Sequence, residues 1–149
     1  MTRQLPHDPY IRATVIALTQ AGLEPDGWWT SDAEVDRYDT GPDAGCTTML
    51  DAHLVWTAAD SHEHGIHLVW EHPAEQWQWA PRKADGVLAH DPEFLPMLGR
   101  YADPGAVVSV VRALLAGEPL PEGHAPYWHE ADAVKRAVDA WAADEDGGQ

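Results

Sequence analysis

The chain has 149 residues, 44% of them apolar, and a net charge of −16 from 25 acids against 9 Lys and Arg. That length fits one domain with one core, and the apolar content argues against a chain disordered throughout. The acid excess runs through both halves, so the surface repels nucleic-acid phosphates and anionic lipid; this excludes direct binding to either and favours a basic protein as partner.

Acidity also serves plain solubility, which is the simpler reading of it. Cys46 is the only cysteine, so no disulfide can form within the chain. The start MTRQLPHDPY lacks an apolar run, and no stretch reaches the roughly 18 apolar residues of a membrane span. The expectation is a cytoplasmic protein. Asn is absent and Lys scarce, a usage that points to a GC-rich genome.

The first predicted element is a helix over 8–21. Asp8 is placed as its N-cap, Pro9 as its first helical residue and Gly22 as its stop. Ile11, Val15 and Leu18 share one face with Thr14, while Ile16 lies off it and suggests a second contact. Residues 23–46 are acidic and punctuated by Gly and Pro. They read as a loop, with at most a short edge strand near 33–38 and Trp28 and Trp29 at the start.

Residues 47–57 alternate with period two, which puts Leu50, Ala52, Leu54 and Trp56 toward a core. A polar turn, AADSHEHG, leads to a second strand at 66–71, and HPAE leads to a third at 76–80. These two form a hairpin pairing Trp70 with Trp77 and Leu68 with Trp79. A fourth strand near 86–89 is the weakest of the set. DPEFLPMLGRYA, interrupted by proline, reads as irregular or as a single helical turn. Asp103 then caps a helix that starts at Pro104 and ends at Gly117. A connector leads to a last helix over 128–143, with Ala131, Val134, Val138 and Trp141 on one face.

The fold class is therefore α+β. An antiparallel meander of three to four strands packs against an N-terminal helix and two C-terminal helices. One domain covers 1–149, with its core region over 7–121, the connector and last helix over 122–143, and a disordered acidic tail at 144–149. The second sheet face carries Asp51, His53, His67, Val69, Glu71 and Gln78.

The densest polar cluster is Asp60-Ser61-His62-Glu63-His64, followed by His67 and His72. His62, His64 and His67 have a spacing that suits a transition metal, but two sit in a turn and one on a strand, and turn histidines are more often simply solvated. The H-E-x-x-H spacing of zinc proteases is absent. Asp51 with His53, or His124, His129 and Glu130, are candidate acid–base pairs, outweighed by the reading of a solvated face. Cys46 has no base motif around it. No G-x-S-x-G, G-x-G-x-x-G or phosphate loop occurs, so no catalytic residue and no cofactor are assigned.

Trp77 and Trp79 alternate with glutamines and read as core. Trp28 and Trp29 are adjacent, so in an extended segment one faces outward as a partner anchor. Asp32, Glu34, Asp36 and Asp39 could stand in for phosphates toward a nucleic-acid-binding protein, although an acidic loop is usually only solvated.

HDPYIRATVIALTQAGLEP, LVWEHPAEQWQWAP and DPGAVVSVVRALLAGEPLP together resemble a pattern of helix, Trp hairpin and helix in small uncharacterised actinobacterial proteins, over about residues 7–121. The resemblance implies an accessory or regulatory role and carries over no site residue. The functional expectation is a non-enzymatic acidic protein that binds another protein. The alternatives are an inhibitor that mimics phosphate and a small histidine-based metal protein or enzyme.

Overall fold

The structure, a computed structural model, describes residues 5–31, 50–72, 74 and 76–147. Helix α1 (Asp8–Gln20) buries Tyr10, Ile11, Thr14, Val15 and Leu18 along one stripe, with Pro9 in its first turn. Asp8 does not cap it. The helix begins on Asp8, and His7 at the N-cap position makes no side-chain cap bond. The Asp8 carboxylate is used elsewhere: it accepts from the Leu5 N–H (2.9 Å) and from the Thr30 hydroxyl (2.7 Å). Ile16 stays exposed.

Five strands follow as an antiparallel meander in chain order: β1 (Gly27–Ser31), β2 (Leu50–Trp56), β3 (Ile66–His72), β4 (Gln76–Pro81) and β5 (Glu93–Gly99). Helices α2 (Pro104–Ala116) and α3 (Ala131–Gly147) complete the α+β fold. Asp103 caps α2 by accepting from the Gly105 N–H (2.9 Å), and Gly117 ends it in the left-handed region at φ 72°. Helix α3 takes in residues 144–147 of the segment read as a tail.

Two of the strands correct the sequence reading. β1 occupies the start of the supposed loop, and β5 occupies the supposedly irregular 91–102 stretch. Between Gln78↔Phe94 and Gln76↔Gly99 the register shifts, so five steps along β5 face two along β4. Pro96 lies within this bulge on an edge strand, where its missing N–H breaks no ladder. The bulge also lets Leu95 and Leu98, three apart, both reach the core. At 86–89 there is no strand, only an isolated Arg82↔Leu88 bridge. The strand expected near 33–38, residues 47–49 and Cys46 lie outside the described residues.

One sheet face and the three helices enclose the core. Leu50, Ala52, Leu54, Ile66, Leu68, Trp70, Trp77, Leu95 and Leu98 meet Tyr10, Ile11 and Leu18 of α1, Val107 and Val111 of α2, and Val134 and Val138 of α3. Leu68 faces Trp79 across the hairpin, as the alternation required. Three buried indoles find acceptors: Trp56 the Leu23 carbonyl (3.0 Å), Trp70 the Arg100 carbonyl (2.5 Å) and Trp77 the Tyr10 hydroxyl (3.1 Å). Tyr10 in turn donates to the Ala102 carbonyl (2.5 Å). Burial pushes its phenol above the ordinary range, so the hydroxyl remains a donor at any working pH.

Removing that hydroxyl strands two buried groups. Tyr10→Phe is expected to lower stability by about 1–3 kcal/mol in urea unfolding. Gly65, at φ 83° between β2 and β3, has an ideal Cβ position 1.7 Å from the Trp56 carbonyl oxygen, whereas Gly22 at φ 79° has nothing within 4 Å. Gly65→Ala is therefore expected to cost at least about 3 kcal/mol and Gly22→Ala only about 1–2 kcal/mol, a difference that paired melts would resolve.

Candidate functional site

Among the described residues, the sheet face opposite the helices carries the densest set of mutually bonded polar side chains. Strand alternation and register put them there. Ser31 stands opposite Asp51, and Trp29 opposite His53. His53 in turn faces Val69, and His67 faces Val55. His53 and His67 are thus diagonal neighbours, within reach of one another.

Their rings meet edge to face, with His53 Nδ1 and His67 Nε2 2.9 Å apart. Asp51 lies 3.5 Å from His53 Nε2, and its other oxygen accepts from the Ser31 hydroxyl. This order sets the protons. Asp51 holds a hydrogen on His53 Nε2, so the neutral ring has only a lone pair at Nδ1. His67 must then donate its Nε2–H, which leaves its own Nδ1 as an acceptor. Below Asp51, His7 is buried, stacks on Trp70 at 5.0 Å and donates from Nε2 to the Asp51 carbonyl (2.7 Å).

Electrostatics agree with this arrangement. Burial alone would raise the Asp51 carboxyl, but the hydrogen bonds from His53 and Ser31 outweigh it and hold the group below its ordinary range. Burial, then the neighbouring His53 and Arg82, push His67 down to about 4, so its ring is neutral near pH 7. Farther along the face, Gln78 is buried and donates to Glu71 (3.3 Å).

Trp29 covers the pair. Its ring stacks on His53 at 4.9 Å and 20°, and it meets His67 edge-on at 6.0 Å. Even so, it is 48% exposed. Trp28 stands opposite Leu54 on the helix side of the same edge strand, 39% exposed. The adjacent tryptophans thus point to opposite faces, and both reach solvent.

The three histidines singled out for a metal are not brought together. His62 donates from Nδ1 to the Ser61 hydroxyl (2.7 Å), whose own hydrogen goes to the Leu114 carbonyl (2.6 Å), and meets the edge of Trp79, on the helix side. His64 stands in the turn, 3.8 Å from Glu63. His67 is on the outer face. Among the described residues no group of three metal-ligating side chains occurs. His129 and Glu130 form an exposed pair at 3.5 Å, and His124 lies apart in a groove along β5. Asp32, Glu34, Asp36 and Asp39 lie outside the described residues. No helix among the described residues is long and apolar enough to cross a membrane.

Asp51 and His53 were recognisable as a polar pair from their spacing along one strand. The link to His67 and the Trp29 cover depend on register between strands, which no local pattern encodes. Comparison of the chain with protein-family models, curated proteins and solved structures finds no match.

His67 makes stability depend on pH. Unfolded, its ring titrates near 6.5; folded, at about 4. The fold favours the neutral ring, so this contribution is complete above pH 6.5 and is lost as pH falls through 4. Urea midpoints measured between pH 7 and 4 are expected to fall for the native protein. They should fall less for His67→Gln, which keeps a donor toward His53.

Proposed function

We propose that the chain is a non-enzymatic accessory protein of the cytoplasm that binds another protein, with Trp29 as its anchor. The observation that carries this reading is the posture of Trp29. A large aromatic ring is left half in solvent, yet it is held in one orientation by the histidine stacked beneath it. An exposed but immobilised aromatic loses little entropy on binding, which is the character of an interface hot spot.

The Asp51–His53–His67 chain then acts as the support that fixes the ring under Trp29. A catalytic reading of the same chain has less behind it, because the Ser31 hydroxyl donates to Asp51 rather than facing a histidine base. Among the described residues β1 is an edge strand, laddered to β2 alone, so its outer edge suits an added strand beside the two tryptophans. The charge of −16 favours a partner with basic side chains around an apolar pocket.

Photocrosslinking in cells that produce the protein tests this. Trp29→p-benzoylphenylalanine is expected to give one dominant adduct, competed away by unlabelled protein; the same replacement at exposed Val87 should give none. Trp29→Ala should weaken the competition at least about tenfold. Matching adducts at both positions, or undiminished competition by Trp29→Ala, would refute the reading.

A further inference from the structure

The two edges of the sheet are built differently. β5 carries the features that keep an edge strand from pairing: a bulge, Pro96 within it, and a cover of connector backbone. The Ala125 N–H donates to the Met97 carbonyl (3.0 Å) and the Trp128 N–H to the Tyr101 carbonyl (2.8 Å), so the connector is stitched along that side. β1, Gly-Trp-Trp-Thr-Ser, has no proline, no lysine and no other charged residue, and its ladder with β2 runs from Gly27 to Ser31 without a bulge. Among the described residues no strand pairs with its outer side. An edge strand left in this state is a template for another extended chain.

Alternation gives this open edge an aromatic ring on each face. On the outer face, His53 stacks on one side of the half-exposed Trp29 ring, so the other side of the ring meets water. The face of an indole carries negative charge density and attracts cations. On the helix side Trp28 is also exposed. Three carboxylates border the strand. Asp26 precedes it and accepts from the Thr57 N–H (2.7 Å) and hydroxyl (3.0 Å). Asp8 accepts from the Thr30 hydroxyl and the Leu5 N–H, and Asp51 accepts from the Ser31 hydroxyl. The donors to Asp8 and Asp26 are uncharged, so among the described residues neither carboxylate is ion-paired with a cation.

We infer that β1 takes an arginine-bearing extended segment of a partner protein as a further strand of the sheet, with the guanidinium stacked on the open face of Trp29 and the next residue lying beside Trp28. The arginine site rests on the reading of Trp29 as anchor and names what that anchor holds. Side chains opposite one another on paired strands stand about 5 Å apart, so a residue of the added strand facing Trp29 reaches its ring. Charge decides the class. The bordering carboxylates and a net charge of −16 repel an acidic segment and draw a basic one. Arginine suits the ring better than lysine, because its planar guanidinium stacks on an indole while its N–H groups stay free for carboxylates. Backbone hydrogen bonds along β1 supply affinity for any extended chain, and the stacked arginine supplies the selection.

The test is amide NMR and hydrogen exchange on the whole chain with the peptide acetyl-Thr-Val-Arg-Val-Thr-amide. The same peptide with citrulline for arginine is the uncharged isostere, and with glutamate the acidic control. The arginine peptide is expected to give saturable shifts centred on residues 27–31 and to slow exchange of amides within β1. Citrulline should bind at least about threefold more weakly. Trp29→Ala should weaken the arginine peptide about tenfold. The assignment is overturned by absence of saturable shifts up to about 10 mM, by equal binding of the citrulline or glutamate peptide, by undiminished binding to Trp29→Ala, by shifts centred on Phe94 or α3 instead, or by unchanged exchange in β1 at saturation. In the crosslinking experiment, an adduct at position 29 that saturating arginine peptide does not displace overturns the added strand and leaves the Trp29 anchor standing. Absence of any adduct removes the anchor and the arginine site with it.

Discussion

The Tyr10 hydroxyl joins three parts of the fold in two hydrogen bonds. It accepts from the Trp77 indole in the sheet and donates to the Ala102 carbonyl just before α2. The ring around it touches Trp70, Trp77, Tyr101 and Trp128, so an aromatic cluster is built around a single polar atom. Aromatic side chains bring large buried area and also polar groups that must be answered. Here the answers run between layers: Trp56 to the segment after α1, Trp70 to the end of β5, and Trp77 to α1. The helices are therefore held to the sheet at defined points rather than by apolar contact alone.

That rigid interior leaves two surfaces with distinct chemistry. On the outer face, polar side chains are bonded to one another and lie beneath an aromatic ring half in solvent. Along β5, a groove lined by Arg100, Asp132 and Lys135 opens against the connector after α2. His7 connects core and outer face directly, since it stacks on Trp70 inside and donates to the backbone of Asp51. Asp51 is thereby held from both sides of the sheet: its carbonyl by His7, its carboxylate by Ser31 and His53.

Elements whose two faces meet different environments were legible in the sequence. Residues 50–56 and 66–72 alternate because one side meets the core and the other carries the polar set, and α2 is bracketed by Asp103 and Gly117. β1 was not legible, because an edge strand whose tryptophans both reach solvent shows no contrast between faces. β5 was hidden by its bulge, which sets Leu95 and Leu98 at a spacing more like that of a helix and admits Pro96. Of the site, Trp29 and the Asp51–His53 pair were visible as residues, but their joining to His67 depends on strand register. The groove left no signal at all: its lining comes from β4, β5, the connector and α3, and nothing local marks Arg100 and Lys135 as neighbours.

The bond between Tyr10 and Ala102 spans 92 positions in the chain. The sheet can form by successive neighbouring hairpins, but α1 cannot take its final place until α2 exists. During synthesis the apolar stripe of α1 emerges before the sheet and waits for a partner made after it. At about 5–20 residues per second that interval lasts several seconds. Through it, Tyr10, Ile11 and Leu18 lack their final cover, and this is when the young chain is most exposed to chaperones and to misassociation.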